Sequence, residues 1–272
     1  DLVADWVEIR TAIGWSGPYV EAIRAGRVRL NAKLAADGTL SMGAIDKLLP
    51  APSGKPFALP AIHLAVADGR AMLTTPYGPA VLRLSGRGRL DGGFAGRLEA
   101  RAPRLASGDC AATGLTAALV LRIDRARPVL RGPVNAAALA CGDAVVRAPA
   151  LDLAATLAAD LTRWRGAALV KAAGASHVAG QLAPLAGQVS FAGGADGTAG
   201  AARLAAGAFG TAVLSGKALR VDGRYSLSPR GVRFDGRVGA EHGALDAARR
   251  RAIAAFGAAG PGTPVGPLAD RL

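Results

Sequence analysis

From Leu82 to Ala100 the chain alternates. Leu82, Leu84, Gly86, Gly88, Leu90, Gly92, Phe94, Gly96, Leu98 and Ala100 hold the even positions, and Arg83, Ser85, Arg87, Arg89, Arg97 and Glu99 stand among the odd ones. A period of two puts successive side chains on opposite sides of an extended backbone, whereas a helix needs its apolar residues about 3.6 apart. The stretch is therefore read as strand with one apolar face. Asp91-Gly92-Gly93 supplies the turn that splits it into two hairpin arms.

The same period recurs along the chain. It predicts strands at 5–10, 19–24 and 28–34, with a hairpin turn at Asp37-Gly38 and a return over 39–42. Strands resume at 61–66 and 72–75 with a turn at Asp68-Gly69, a further turn at 76–79, and strands at 111–124 and 129–140. The alanine-rich section 144–200 is ambiguous. Residues 151–162 suit a helix by propensity, yet Leu151, Leu153, Ala155 and Leu157 alternate, which favours strand. Later strands are expected at 187–192, 201–206, 211–215, 218–227 and 231–238. Two helices are expected. One covers 43–49, where Ile45, Leu48 and Leu49 share a face and Pro50 ends the run. The other covers 244–256, with Leu245, Ala248, Ala252 and Phe256 opposite Arg249, Arg250 and Arg251. This arginine-faced helix suits either a membrane surface or the end of the sheet. The chain divides into a strand unit closed by a short helix (1–50), a continued β region that begins with the proline-rich 50–60 (51–243), and a C-terminal helix and linker (244–272). No strand–helix–strand rhythm supports a doubly wound fold.

Composition limits what the strands can enclose. The chain is 51% hydrophobic, but alanine dominates and aromatics are only 4%. Alanine removes little area from water, at about 25 cal/mol per Å², so a thin sheet is easier to build than a thick core. The net charge of +13 follows from a GC-rich coding bias or from an anionic partner. The arginines are scattered and aromatics for base stacking are few, so no nucleic-acid partner is expected. No run approaches the roughly 18–20 apolar residues of a membrane-spanning helix. Opening on Asp1, the chain reads as a piece of a longer protein.

Catalytic patterns are missing from the sequence. Gly86-Arg87-Gly88-Arg89-Leu90-Asp91-Gly92 has the spacing GxGxxxG, and no helix follows to aim its amides at a phosphate. Its glycines suit bends, close backbone approach or space for a ligand. His63, His177 and His242 are isolated from other ligand-type residues. Ser16, Ser85 and Ser215 precede glycine but lie outside GxSxG. Asp37, Asp68, Asp91 and Asp222 fall in turns, where they have a structural use. No enzyme activity, metal or cofactor is expected. Cys110 and Cys141 fit neither a metal site nor CxxC; they either pair across neighbouring strands in an oxidising compartment or remain free.

The order of elements in DLVADWVEIRTAIGWSGPYVEAIRAGRVRLNAKLAADGTLSMGAIDKLLP resembles the recurring unit of the AsmA-like family. It is most similar to the YdbH-type intermembrane phospholipid transport proteins of Gram-negative bacteria, relatives of TamB. The block LPAIHLAVADGRAMLTTPYGPAVLRLSGRGRLDGGFAGRLEARAPRL looks alike, so the resemblance covers about residues 1–145. It implies a mainly β fold: an elongated, strongly curved antiparallel sheet forming an open groove from repeated short strands and hairpins. It also implies a place in the periplasm, an inner-membrane anchor outside this chain, phospholipid as partner and no catalytic residues. The readings agree in scale. A six-residue strand spans roughly 20 Å, comparable to the ~15 Å hydrocarbon of one leaflet. The residues expected to line the groove, or to form a core, are Val28, Leu30, Leu34, Ile62, Leu64, Val66, Leu82, Leu84, Phe94, Leu98, Leu119, Leu121 and Ile123. A second reading is a β-rich envelope scaffold or outer-membrane assembly factor that holds partners by strand addition.

Overall fold

Alternation along the chain becomes a single continuous sheet. The structure, a computed structural model, describes residues 2–15, 17–37, 39–42, 58–212, 214–245 and 248–251. The 21 strands among the described residues belong to one sheet. The first crossing is β1 (Leu2–Val3) with β2 (Trp6–Gly14). The chain returns as β3 (Gly17–Gly26) and β4 (Val28–Leu34), with β5 (Leu40–Ser41) beside the end of β4. It then runs back and forth as β6 (His63–Thr75), β7 (Gly78–Arg89), β8 (Ala95–Ser107) and β9 (Cys110–Asp124). Next come β10 with β11 (Arg127–Asn135, Ala138–Cys141), β12 with β13 (Ala144–Arg147, Ala150–Leu157) and β14 with β15 (Arg163–Ala172, Gly174–His177). The last crossings are β16 with β17 (Gly180–Leu182, Leu185–Gly194), β18 (Gly197–Thr211), β19 (Leu214–Ser228) and β20 with β21 (Gly231–Gly239, His242–Leu245).

Each crossing pairs antiparallel with the one before it, except that β6 runs parallel to β3 and β4. The sheet is therefore mixed rather than purely antiparallel. Parallel neighbours need a connection of a dozen residues or more, and residues 35–62 supply that length. Strands begin at Cys110, Arg127 and Ala144, and again at Gly180, Gly197, Leu214 and Gly231, a step of 17 residues. Full crossings such as β9, β18 and β19 are 15 residues long. At about 3.3 Å per residue each spans on the order of 50 Å, more than twice the span expected from six-residue strands.

A line of ladder interruptions crosses this ribbon. Gly114, Ala148 and Ala218 adopt left-handed φ values of 60°, 46° and 52°. The breaks that divide β10 from β11, β12 from β13, β14 from β15 and β16 from β17 fall beside them. Backbone bonds carry the ladder across: Ala137 N–H to the Thr113 carbonyl (2.8 Å), Ala148 N–H to Ala137 (2.8 Å), Ala173 N–H to Arg147 (2.9 Å) and Ala183 N–H to Ala208 (2.8 Å). Both strands advance by the same number of residues across each break, Thr113 to Thr116 against Asn135 to Ala138 for example, so the row interrupts the ladder along one crease without inserting a residue.

Three local expectations are corrected. Asp68-Gly69 is not a turn: β6 continues through it, with its register against β7 shifting between Val66 and Gly69. Residues 211–215 are not a strand of their own: Thr211 ends β18, and Leu214 and Ser215 begin β19. Ala244 and Leu245 belong to β21, and the only helical residues described near them are 248–251; the ladder to Leu214 and Ser215 outweighs helix propensity there. The expected helix at 43–49 and the rest of the one at 244–256 lie outside the described residues.

Burial matches a single layer. Among the described residues, buried hydrophobic positions number eleven, of which eight are alanines, and Phe94 is the one large side chain that is fully buried. Alanine reaches low exposure here because larger cross-strand neighbours shade it.

Candidate functional site

Strand register joins the predicted apolar residues into rows. Val28 stands beside Gly69, then Leu84, Leu98 and Leu119 across four successive strand pairs. Leu30 leads through Ala71 and Leu82 to Ala100. Val66 leads through Gly86 and Gly96 to Leu121, and Leu64 faces Gly88. Leu34 continues the Leu30 side of β4, and Ile62 precedes β6 on the side of Leu64. Phe94, Leu119 and Ile123 are the most buried of the set. All thirteen thus share one face, brought together by the strand ladders, parallel between β4 and β6 and antiparallel from β6 to β9.

The face continues through the half of the chain that the sequence left ambiguous. Leu121 pairs with Leu130, Leu130 with Ala155, Ala155 with Gly166, and Gly166 with Phe191. A parallel row runs from Val134 through Leu151 and Val170 to Gly187 and Leu204, ending at Val221 and Val238. These positions were overlooked because alanine-rich strands carry weak hydrophobic contrast. The alternation Leu151-Leu153-Ala155-Leu157 held the signal.

Glycines on this face are occupied rather than vacant. Each of the four described phenylalanines lies against a glycine of its own or a neighbouring strand. A Cβ at Gly86 would lie 2.7 Å from the Phe94 ring, and one at Gly96 3.1 Å. Phe191 covers Gly166, Phe209 covers Gly216, and Phe234 covers both Gly223 and Gly236. Of the expectation that Gly86, Gly88, Gly92 and Gly96 leave room for a ligand or allow strong curvature, the room is corrected at Gly86, Gly88 and Gly96: ring or opposing backbone fills it. The pairing lets a large ring lie flat on the sheet, as in aromatic rescue of strand glycines.

No second sheet is available to cover the apolar face, since all described strands belong to one. The opposite face carries Arg70, Arg83, Arg87, Arg97, Arg101, Arg122, Arg131 and Arg165, with Glu99 and Asp152 among them. Arg70 and Arg83 stand directly opposite each other. The ion pairs are all at the surface, as in Arg89–Asp91 (2.7 Å), Arg203–Asp222 (3.2 Å) and Arg220–Glu241 (2.6 Å). Arg89 donates twice to Asp91 and holds its carboxyl below the usual range. Thr39 and Thr162 amides do the same for Asp37 and Asp160, which fits carboxylates that shape turns.

Concavities occur on both sides. One of about 490 Å³ touches Trp6, Arg24, Arg87 and Arg97 on the polar side. Another, of about 1040 Å³, wraps the margin near Arg127, Thr156, Asp160, Arg163 and Asp196. A smaller one of about 300 Å³ sits at the crease, where Val146, Leu182, Phe209 and Leu219 give it an apolar lining. Leu219 belongs to the apolar rows, opposite Ala206, so this last concavity adjoins the apolar face.

The two cysteines are joined. Cys110 and Cys141 face each other across the β9–β11 ladder and form a disulfide with Cα atoms 4.0 Å apart. The bridge closes the margin that the short arms of the crossings form beyond the crease. The chain matches no family model, no curated protein and no solved structure.

Proposed function

We propose that this chain is a segment of an AsmA-like, intermembrane phospholipid transport protein whose apolar face shields acyl chains in the periplasm. The observation that carries the reading is one apolar face, from β4 to β20, on a sheet that no second layer covers among the described residues. Burying a lipid tail there needs no catalytic group: about 0.8 kcal/mol per CH₂ follows from desolvation alone. The apolar concavity beside Leu219 and Phe209 is wide enough for part of such a tail. The disulfide favours an oxidising compartment, and an anchor outside this chain would hold the segment at the inner membrane.

Native mass spectrometry with lipid extraction tests this on the purified chain. Phospholipid should co-purify, and Leu84→Asp or Leu121→Asp should deplete it several-fold while far-UV circular dichroism stays unchanged. A lipid-free protein that takes up no phospholipid from detergent-mixed micelles would sink the reading.

The terminal strands support a second reading. All nine residues of β20 are exposed, and among the described residues that strand pairs only with β19. An envelope scaffold or assembly factor would bind partners by adding a strand at this edge.

A further inference from the structure

The β2–β3 hairpin extends beyond the sheet. β3 pairs with β6 only from Ala22, opposite His63, whereas β2 and β3 stay paired with each other through Thr11–Val20, Ala12–Tyr19, Ile13–Pro18 and Gly14–Gly17. About 14 Å of two-stranded ribbon therefore projects past its neighbours. Such a ribbon is at best marginally stable alone in water.

Its surface is unusual for a water-exposed hairpin. Residues 11–20, TAIGWSGPYV, contain no charge. Ile13 is 89% exposed, Trp15 109%, Tyr19 53% and Val20 38%. Apolar groups lie on both faces, with Ile13, Pro18 and Val20 on one and Tyr19 and Ala12 on the other. A docking surface for another protein sheet would be apolar on one face only. Both-sided exposure with Trp and Tyr suits a medium that surrounds the tip, apolar below and wet above. Charges appear only at the base, where Arg10 and Arg24 flank Glu8 at 4.0 and 3.8 Å, and Glu21 follows Val20.

We infer that this hairpin inserts into the headgroup–acyl boundary of a phospholipid bilayer, with Trp15 and Ile13 leading and Arg10 and Arg24 at headgroup level. The open edges of the ribbon limit its depth, because unpaired backbone groups are costly in hydrocarbon. The inference does not rest on lipid binding along the apolar face and is separable from it.

The test uses the 272-residue chain with vesicles of phosphatidylethanolamine and phosphatidylglycerol. Flotation should recover the protein with the vesicles, and the Ile13→Ser/Trp15→Ser double variant should float roughly tenfold less. Trp15→Tyr should retain most of the binding. With Trp6→Phe and Trp164→Phe leaving Trp15 as the only tryptophan, brominated acyl chains should quench its fluorescence. That arm keeps Trp15 and decides the matter if the double variant does not fold. Unchanged flotation of a folded double variant, absence of quenching, or lipid-independent dimers that bury Trp15 would each overturn the inference. Lipid counts from native mass spectrometry report the apolar face separately.

Discussion

At the residue scale, phenylalanine and glycine work as a unit. Phe94 is 2% exposed, in a sheet with almost no other large buried side chain. Phe94→Ala should therefore cost about 3–5 kcal/mol, read as a loss of urea midpoint. Gly86→Val should also destabilise, because the added side chain meets the Phe94 ring and the Ala95 carbonyl. A Gly86→Val chain of wild-type stability would contradict the pairing. Asp91 offers an electrostatic check. Its hydrogen bonds from Arg89 depress its folded-state pKa, so its small stabilising effect is present above the ordinary value of about 3.9 and is lost as pH falls through the depressed one. In an NMR titration the Asp91 midpoint should lie below that ordinary value and rise in Arg89→Gln. The alternation from Leu82 to Ala100 was enough to place these residues on one face. It did not disclose that the glycines were covered, because that depends on which strand lies alongside.

At the element scale, the design is a long crossing interrupted at a fixed place. Ala148 holds a left-handed φ of 46° without being glycine. Ala148→Gly should keep or raise the thermal midpoint, whereas Ala148→Val should lower it, the two differing by about 1–2 kcal/mol. Equal midpoints would mean that this left-handed position is not a constraint. The register shift in β6 explains one thing that was hard to read. Asp68-Gly69 has the composition of a turn, yet Gly69 pairs with Leu84 and the strand goes on. Residues 144–200 blurred helix and strand because alanine satisfies both, and only neighbouring ladders decide between them. The parallel step at β6 was invisible for a different reason: alternation fixes faces, not partners.

At the scale of the whole molecule, each crossing touches chiefly the one before and the one after. Stability then approaches a sum of nearest-neighbour terms, as in other repetitive architectures. The disulfide spans 31 residues, and loop-closure entropy alone assigns it about 3–4 kcal/mol. Cys110→Ser/Cys141→Ser should raise hydrogen exchange most in β9, β11 and β12 and little in β19 and β20. Uniform loosening of the entire sheet would argue against local cooperativity.

The 17-residue step also has a temporal meaning. After β6, the partner of every crossing is the segment synthesised immediately before it, so loop closure involves only short separations. A chain that arrives amino end first, through a ribosome or a translocation pore, can add one rung at a time to a finished edge. Only the start is slow by this measure, because β6 must find β3 and β4 across residues 35–62. That single parallel junction is where assembly of the sheet would begin in earnest, and everything after it is elongation.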